Sequence, residues 1–334
     1  MNFAQWQSKC APAAFRFFSL GRHALVEALR AAGLKAGDKV LLPEFICRDV
    51  LASLHAVDAD VAWYPVAENL EPASSPESWP QARAVLAVNY FGFPQPLPPF
   101  RAYASRTGAV LIEDNAHGFL SCDEDGRWLG MRGDAGIFSI RKSLPLADGA
   151  ALVVSNQAIA GSLAEPVRLA GRGYSPRTAQ KARLRAIPLA GIAAANASTS
   201  AVRLARWLRS GHAIPPSDEN AEREIPYPPA AHSELMSNLA SLDVDGEIER
   251  RRRLYLEAET KARCFGITPV FSSLPPSVTP YGFPFWAPSD TTLKRMRSWA
   301  KRRGLELISW PDLPHAIEQR PAAWHRRLRL VNFL

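Results

Sequence analysis

The stretch Ala109–Gly149, AVLIEDNAHGFLSCDEDGRWLGMRGDAGIFSIRKSLPLADG, decides how this 334-residue chain is read. Its apolar opening predicts a strand over Ala109–Glu113, with Asp114 just past its end and His117 three residues further on. The segment Asp123–Gly126 lacks the ligand spacing of a calcium loop and ends in Asp-Gly, which predicts a turn. Two strand-like runs follow, Gly136–Ile140 and Ala150–Ser155, and between them stands Lys142, the only lysine between Lys39 and Lys181. Only eight of the 40 basic residues are lysines. In such a chain an isolated lysine points to chemistry that arginine cannot do, because a primary amine can lose its proton and form a Schiff base.

Outward from this stretch, strands and helices alternate. Apolar residues at Leu25, Ala28, Leu29 and Ala32 predict an amphipathic helix, with Ser19 placed as its cap and Gly33 and Gly37 as its stop. A strand at Lys39–Leu42, a helix over Arg48–Val57, a strand at Val61–Val66 and a loop over Asn69–Pro80 come next. Ala84–Asn89 is continuously apolar, as a strand covered on both faces is, and a helix over Phe100–Arg106 leads back to the Ala109 strand. This rhythm predicts βαβ units and a mainly parallel sheet. Further on, Pro166–Arg185 is basic and irregular, Leu189–Leu208 predicts a helix, and the proline-rich 210–232 predicts a surface excursion or linker. Ser237–Phe265 predicts one long charged helix, and Tyr281–Trp286, Ser289–Arg303 and Leu305–Trp310 a strand, a helix and a strand. The expected fold is α/β: a large domain over 1–235 and a smaller C-terminal α+β domain over 236–334.

Composition narrows the function. Apolar content of 47% and charge of 22% are those of a globular protein. The net charge of +8 suits phosphate-bearing ligands, but the arginines are scattered apart from the run Arg250–Arg253, and we expect no nucleic-acid partner. Four cysteines without C-x-x-C spacing read as reduced thiols, with neither disulfides nor a metal site. The N-terminal residues lack a signal-peptide pattern and no apolar run is long enough to span a bilayer, so membrane insertion is not expected and the cytoplasm is the expected compartment. Ser139–Lys142 spells S-x-x-K, yet the S-D-N and K-T-G partners of serine β-lactamases are missing. No strand–G-x-G-x-x-G–helix frame is present either.

Each candidate residue has an ordinary alternative. Asp114 at the C-terminal edge of a parallel strand could hold a cationic ring nitrogen or cap a helix. His117 could contact a planar ligand or serve the core. Gly21 and Arg22, opening the first helix, could seat a phosphate or form a plain N-terminus. Taken together, a phosphate seat, a strand-end acid, a ring partner and a Schiff-base lysine are what a pyridoxal phosphate site needs.

The sequence resembles the DegT/DnrJ/EryC1/StrS family of fold-type I, pyridoxal phosphate-dependent sugar aminotransferases. The family's S-G-T-A-A-L opening is similar to Leu20–Leu25, its strand and P-x-F to Val40–Cys47, and its E-D-x-A-Q/H to Glu113–His117. Its G-D-x-x-x-F-S…K…G-D-G-G is similar to Gly133-Asp134 through Phe138-Ser139, Lys142 and Asp148-Gly149. The resemblance implies that Asp114 binds the pyridine nitrogen, that His117 lies near the ring, and that Ser139, Gly21 and Arg22 hold the phosphate. Phe45 and Cys47 complete the implied cofactor-binding set. Lys142 is the implied catalytic residue, forming the Schiff base and shuttling the proton between substrate and cofactor. An amino acid donor such as glutamate, a nucleotide-linked keto-sugar acceptor, a role in polysaccharide biosynthesis and a homodimer are implied too. The chain departs from the family in having its lysine two residues closer to Phe-Ser and Arg22 where the motif has Thr. The G-Y-N-x-R loop, which in the family reaches across to a partner copy, is represented at most by Gly173–Arg177. A lyase, dehydratase or aldolase on the same scaffold, and a non-catalytic relative, are the alternatives.

Overall fold

A computed structural model describes residues 3–10, 12–144, 146, 148–169, 184, 187, 190–212, 219–287 and 289–334. The chain begins with a short helix, α1 (Phe3–Cys10), and a strand that was not expected, β1 (Ala14–Phe18). Helix α2 (Gly21–Ala31) buries the expected face, including Leu25, Ala28 and Leu29. It starts without a side-chain cap: Leu20 holds the N-cap position, and the Ser19 hydroxyl instead donates to the Pro228 carbonyl. Strand β2 (Lys39–Pro43) follows, then a 3-10 turn at Arg48–Val50 and α3 (Leu51–His55), where one longer helix was expected. Strands β3 (Asp60–Tyr64) and β4 (Ala84–Val88) bracket the loop, and α4 (Pro98–Thr107) leads into β5 (Val110–Asp114).

Strand β6 (Ala135–Phe138) stops before Ser139, earlier than the expected end at Ile140. Residues Ile140–Ser143 form a single helical turn, α5, because the Lys142 and Leu144 amides turn back to the carbonyls of Ser139 and Ile140. β7 (Ala150–Val154) and α6 (Gln157–Gly161) follow. Most of Pro166–Arg185, including Gly173–Arg177, lies outside the described residues.

Helix α7 (Gly191–Ser210) fills most of the expected Leu189–Leu208 span. Of the proline-rich stretch, 213–218 lies outside the described residues, while its last part docks on the large sheet. There the Ser19 amide donates to the Pro229 carbonyl at 2.9 Å. The long charged helix is two: α8 (Leu235–Ala240) and α9 (Val244–Cys264), separated where Asp243 caps the second by accepting from the Gly246 amide at 3.1 Å. Strand β8 (Gly282–Trp286), α10 (Asp290–Arg302), β9 (Glu306–Ser309), α11 (His315–Glu318) and β10 (Leu328–Asn332) complete the chain.

The large sheet has the order β1-β7-β6-β5-β4-β2-β3. Strands β3, β2, β4, β5 and β6 are parallel, and β7 runs antiparallel to both β6 and β1. This is the expected α/β class with its mainly parallel sheet. β4, with every residue buried, lies inside the sheet as its unbroken apolar run implies. The three-stranded sheet β8-β10-β9 is antiparallel. Its middle strand, β10, was not expected. One apolar core runs from Leu25 and Leu86 to Phe283 and Leu330, joining both sheets. A second, around Trp6, Phe119 and Phe138, also holds Leu235, Leu239 and Val244.

Candidate active site

The ends of parallel β5 and β6 lie side by side, with Asp114 opposite Ile137. Open sheets bind ligands at this edge. Successive strand side chains point to opposite faces, and here Glu113 and Asp114 divide the work. Glu113 is fully buried and holds Arg132: Nη2 donates to Oε2 at 2.7 Å and Nε to Oε2 at 3.0 Å. Its Oε1 accepts from the amides of Arg132 and Gly133. Asn89 closes the network, donating to Glu113 Oε2 at 3.0 Å and accepting from Arg132 Nη2 at 2.9 Å.

Asp114 faces the other way, into a cavity lined also by Gly21, Arg22, Cys47, Ser139, Arg141 and Lys142. Its Oδ1 accepts from the Ala116 amide at 3.0 Å, and among the described residues its Oδ2 accepts no hydrogen bond. Burial raises its pKa above the usual carboxylate value, and the nearby Lys142 charge and the Ala116 amide oppose that rise.

Gly21 begins α2, so the free amides of that helix end face the same space. Ser139, nearly buried, sits where β6 gives way to α5. The short turn explains how a lysine two residues closer to Phe-Ser still lines the cavity. Its far side is tied down by Arg251 of α9, which is buried, donates to the Ser143 carbonyl, reaches the Tyr281 carbonyl at 3.1 Å and pairs with Glu247 at 2.6 Å. Burial pushes the Cys47 thiol up to about 11, against the pull of Lys142.

Six of the eight residues marked in the sequence therefore line one cavity. The other two do not. Phe45 is buried with its ring against Tyr90, Trp310, Trp324 and His325, and its carbonyl accepts from the Tyr90 hydroxyl at 2.7 Å. His117 stacks with Tyr281, at 4.3 Å and nearly parallel, and with Phe91 at 5.7 Å. Its burial in that stack, together with the Lys142 charge, pushes its pKa well below the usual value, which keeps it neutral. Sequence reasoning missed Arg141, Asp49 and Ser53 in the lining. Arg141 had one signal: it is the only charged residue between Ser139 and Lys142.

A cavity at the edge of a parallel sheet, lined by a lysine and a buried acid, is the arrangement of a ligand-binding α/β protein. The DegT/DnrJ/EryC1/StrS aminotransferase family matches residues 17–209, more than half of the chain, and the chain belongs to that family. An L-glutamine:2-deoxy-scyllo-inosose aminotransferase of Streptoalloteichus tenebrarius is 33% identical over 177 residues, 51% of this chain and 40% of that protein. The erythromycin biosynthesis sensory transduction protein EryC1 of Saccharopolyspora erythraea is 33% identical over 173 residues, 50% of this chain and 46% of that one. The chain thus spans less than half the length of these curated relatives. Among solved structures, a DegT DnrJ EryC1 StrS aminotransferase from Brucella abortus superposes with a TM-score of 0.63 at 14% identity, covering 98% of this chain and 83% of that one. An E. coli GDP-4-keto-6-deoxy-D-mannose-3-dehydratase with bound hydrated PLP gives 0.60 at 15% identity, covering 98% and 85%. At those identities the likeness shows the fold.

Proposed function

We propose that this chain is a pyridoxal phosphate-dependent aminotransferase that moves an amino group from an amino acid, glutamate foremost, to a keto sugar linked to a nucleotide. The observation that carries this reading is that Lys142, Asp114, Ser139 and the start of α2 meet in one cavity. The donor set fits the cofactor. Asp114 offers a buried carboxylate with one oxygen uncommitted, Lys142 a primary amine, and Ser139, the helix amides and two guanidiniums the groups an anion needs. When bound, pyridoxal phosphate supplies the electron sink that stabilises a carbanion at the substrate carbon.

The chain's own residues do the rest. Asp114, kept from water, favours a protonated ring nitrogen, since that cation is the partner its buried charge lacks. In this reading Lys142, a primary amine, would accept the proton from the substrate carbon and pass it to the cofactor rather than back to the same carbon. Arg251 keeps the α5 turn in register with the small sheet, holding Nζ at the cavity.

The same reading gives a large cofactor-binding domain over 1–235 and a smaller one over 236–334, in a cytoplasmic homodimer. Support for a partner copy comes from α7, where Leu204, Trp207 and Leu208 form an exposed apolar face at i, i+3 and i+4 spacing. No helix among the described residues is long and apolar enough to cross a membrane.

The test is the visible absorbance of protein incubated with pyridoxal phosphate, beside Lys142→Ala. A band present only in the parent protein and bleached by glutamate is the expected outcome. Because the relative from Streptoalloteichus is named for glutamine and an inosose, glutamine and a keto-cyclitol belong in the same assay. A band indifferent to every amino donor would favour the dehydratase or lyase chemistry. Absence of any band would overturn the enzyme reading in favour of a non-catalytic relative.

A further inference from the structure

Resting on the cofactor reading above, we propose that Arg141, seconded by Arg22, is the seat of the doubly charged phosphate in this cavity. Arg141 occupies no position in the motif that the chain shares with its family. It is brought here by the shortened link between Ser139 and Lys142, which places it on the same single turn as the lysine.

Three observations point to an anion. First, Arg141 lines the cavity, its Nε is sealed from solvent and has no hydrogen-bond partner, and among the described residues its guanidinium makes no ion pair. A guanidinium does not shed its proton at any ordinary pH, so it cannot escape this cost by becoming neutral. Second, Arg22 lines the same cavity and repels Arg141, while the acid nearest Arg22, Asp49 at 3.6 Å, is half exposed. Third, the most enclosed arginine side chains are ion-paired, and Arg16, whose Nε is likewise without a partner, donates through Nη1 to the Phe15 carbonyl at 3.1 Å and does not line this cavity. Arg48 pairs with Glu318 at 2.8 Å and Asp312 at 3.3 Å, Arg132 with Glu113 at 2.7 Å, and Arg251 with Glu247 at 2.6 Å. These three are matched at contact distance by carboxylates, whereas among the described residues Arg141 has only the longer-range pull of Asp49 and Asp148, set against the repulsion of Arg22.

Ser139 and the α2 amides, in the same lining, add donors suited to phosphate oxygens. Guanidiniums bind such oxygens in pairs, with a geometry that a lysine cannot copy. The backbone of Arg141 is itself held, its amide donating to the Gly149 carbonyl at 3.0 Å, so the side chain starts from a fixed point.

The experiment compares affinities for pyridoxal phosphate and for pyridoxal, which lacks the phosphate, in the parent protein, Arg141→Gln and Arg141→Lys. Arg141→Gln should weaken pyridoxal phosphate about 10- to 100-fold, the range for losing a charged hydrogen bond, and leave pyridoxal unchanged. Arg141→Lys should fall between. A ratio of the two affinities unaltered by Arg141→Gln would overturn the assignment. So would a variant that keeps its cofactor affinity but needs more glutamate for bleaching, because the guanidinium would then be serving the donor's carboxylate. Thermal melts in inorganic phosphate, against chloride of equal ionic strength, separate this inference from the cofactor reading. If neither pyridoxal compound gives a Lys142-dependent band, the cofactor reading fails. Melting points that rise with phosphate in the parent but not in Arg141→Gln still uphold the anion seat, and equal responses refute it. Without phosphate, Arg141→Gln should melt higher than the parent, the reverse of what loss of a structural arginine does.

Discussion

Arg132 and Arg141 leave the same stretch of chain on either side of β6 and meet opposite fates. Arg132 is enclosed by Glu113 and Asn89, with every part of the pairing made on the core side of the β5 end. Arg141 opens onto a cavity with an orphaned Nε and a second guanidinium for a neighbour. The same contrast holds between the adjacent acids: Glu113 accepts hydrogen bonds on both oxygens, Asp114 on one. Structural charges here are complete within the chain, and the charges facing the cavity are not. An incomplete set costs stability until something from outside completes it.

The largest effect expected from breaking this comparison is at its satisfied end. Arg132→Met removes the cation from Glu113, fully buried, and leaves it only the Asn89 side chain and two backbone amides, and should cost about 3–5 kcal/mol, the toll of leaving one partner of a buried pair alone. Urea unfolding measures it. A loss below about 1 kcal/mol would mean that the pair is worth no more than a surface bridge. Next comes Arg251→Met, which leaves the Ser143 and Tyr281 carbonyls without their donor while Glu247 keeps Arg250. About 2–3 kcal/mol is expected from those unsatisfied groups. Because Arg251 holds the α5 turn, this variant should also lose affinity for pyridoxal and pyridoxal phosphate alike, unlike Arg141→Gln.

These contrasts were only partly legible in the sequence. The parallel strands and α2 announced themselves through local periodicity, and Asp114, Ser139 and Lys142 through spacing that topology preserves. β1 escaped because it is a short strand whose partner, β7, lies far along the chain, and β10 because it is a short strand set between β8 and β9. His117 could not be placed from its own neighbourhood, since the ring closest to it, Tyr281, arrives from the C-terminal part of the fold. Phe45 sits in a cluster completed by Trp310 and Trp324, equally remote. Arg141 was hidden for a different reason. Periodicity marks what a chain buries, and nothing in it marks a buried charge left without a partner.

The smallest effect tests the unsatisfied acid. Burial raises the folded-state pKa of Asp114, so between the ordinary carboxylate pKa of 3.8 and that higher value the folded protein binds more protons than the unfolded one. Stability therefore falls as pH rises through that window, and the deficit persists above it. Asp114→Asn removes the titration and keeps the shape. Free of cofactor, the variant should melt higher than the parent at neutral pH, with the gap closing as the pH is lowered toward 4. The Lys142 charge opposes the burial cost, which is why this effect ranks below the others. With pyridoxal phosphate present the order should invert, because a cationic ring nitrogen gives the carboxylate its missing partner and the asparagine gains nothing from it. Equal melting points for parent and variant across the pH range would show that Asp114 is already satisfied within the chain, and would erase its difference from Glu113.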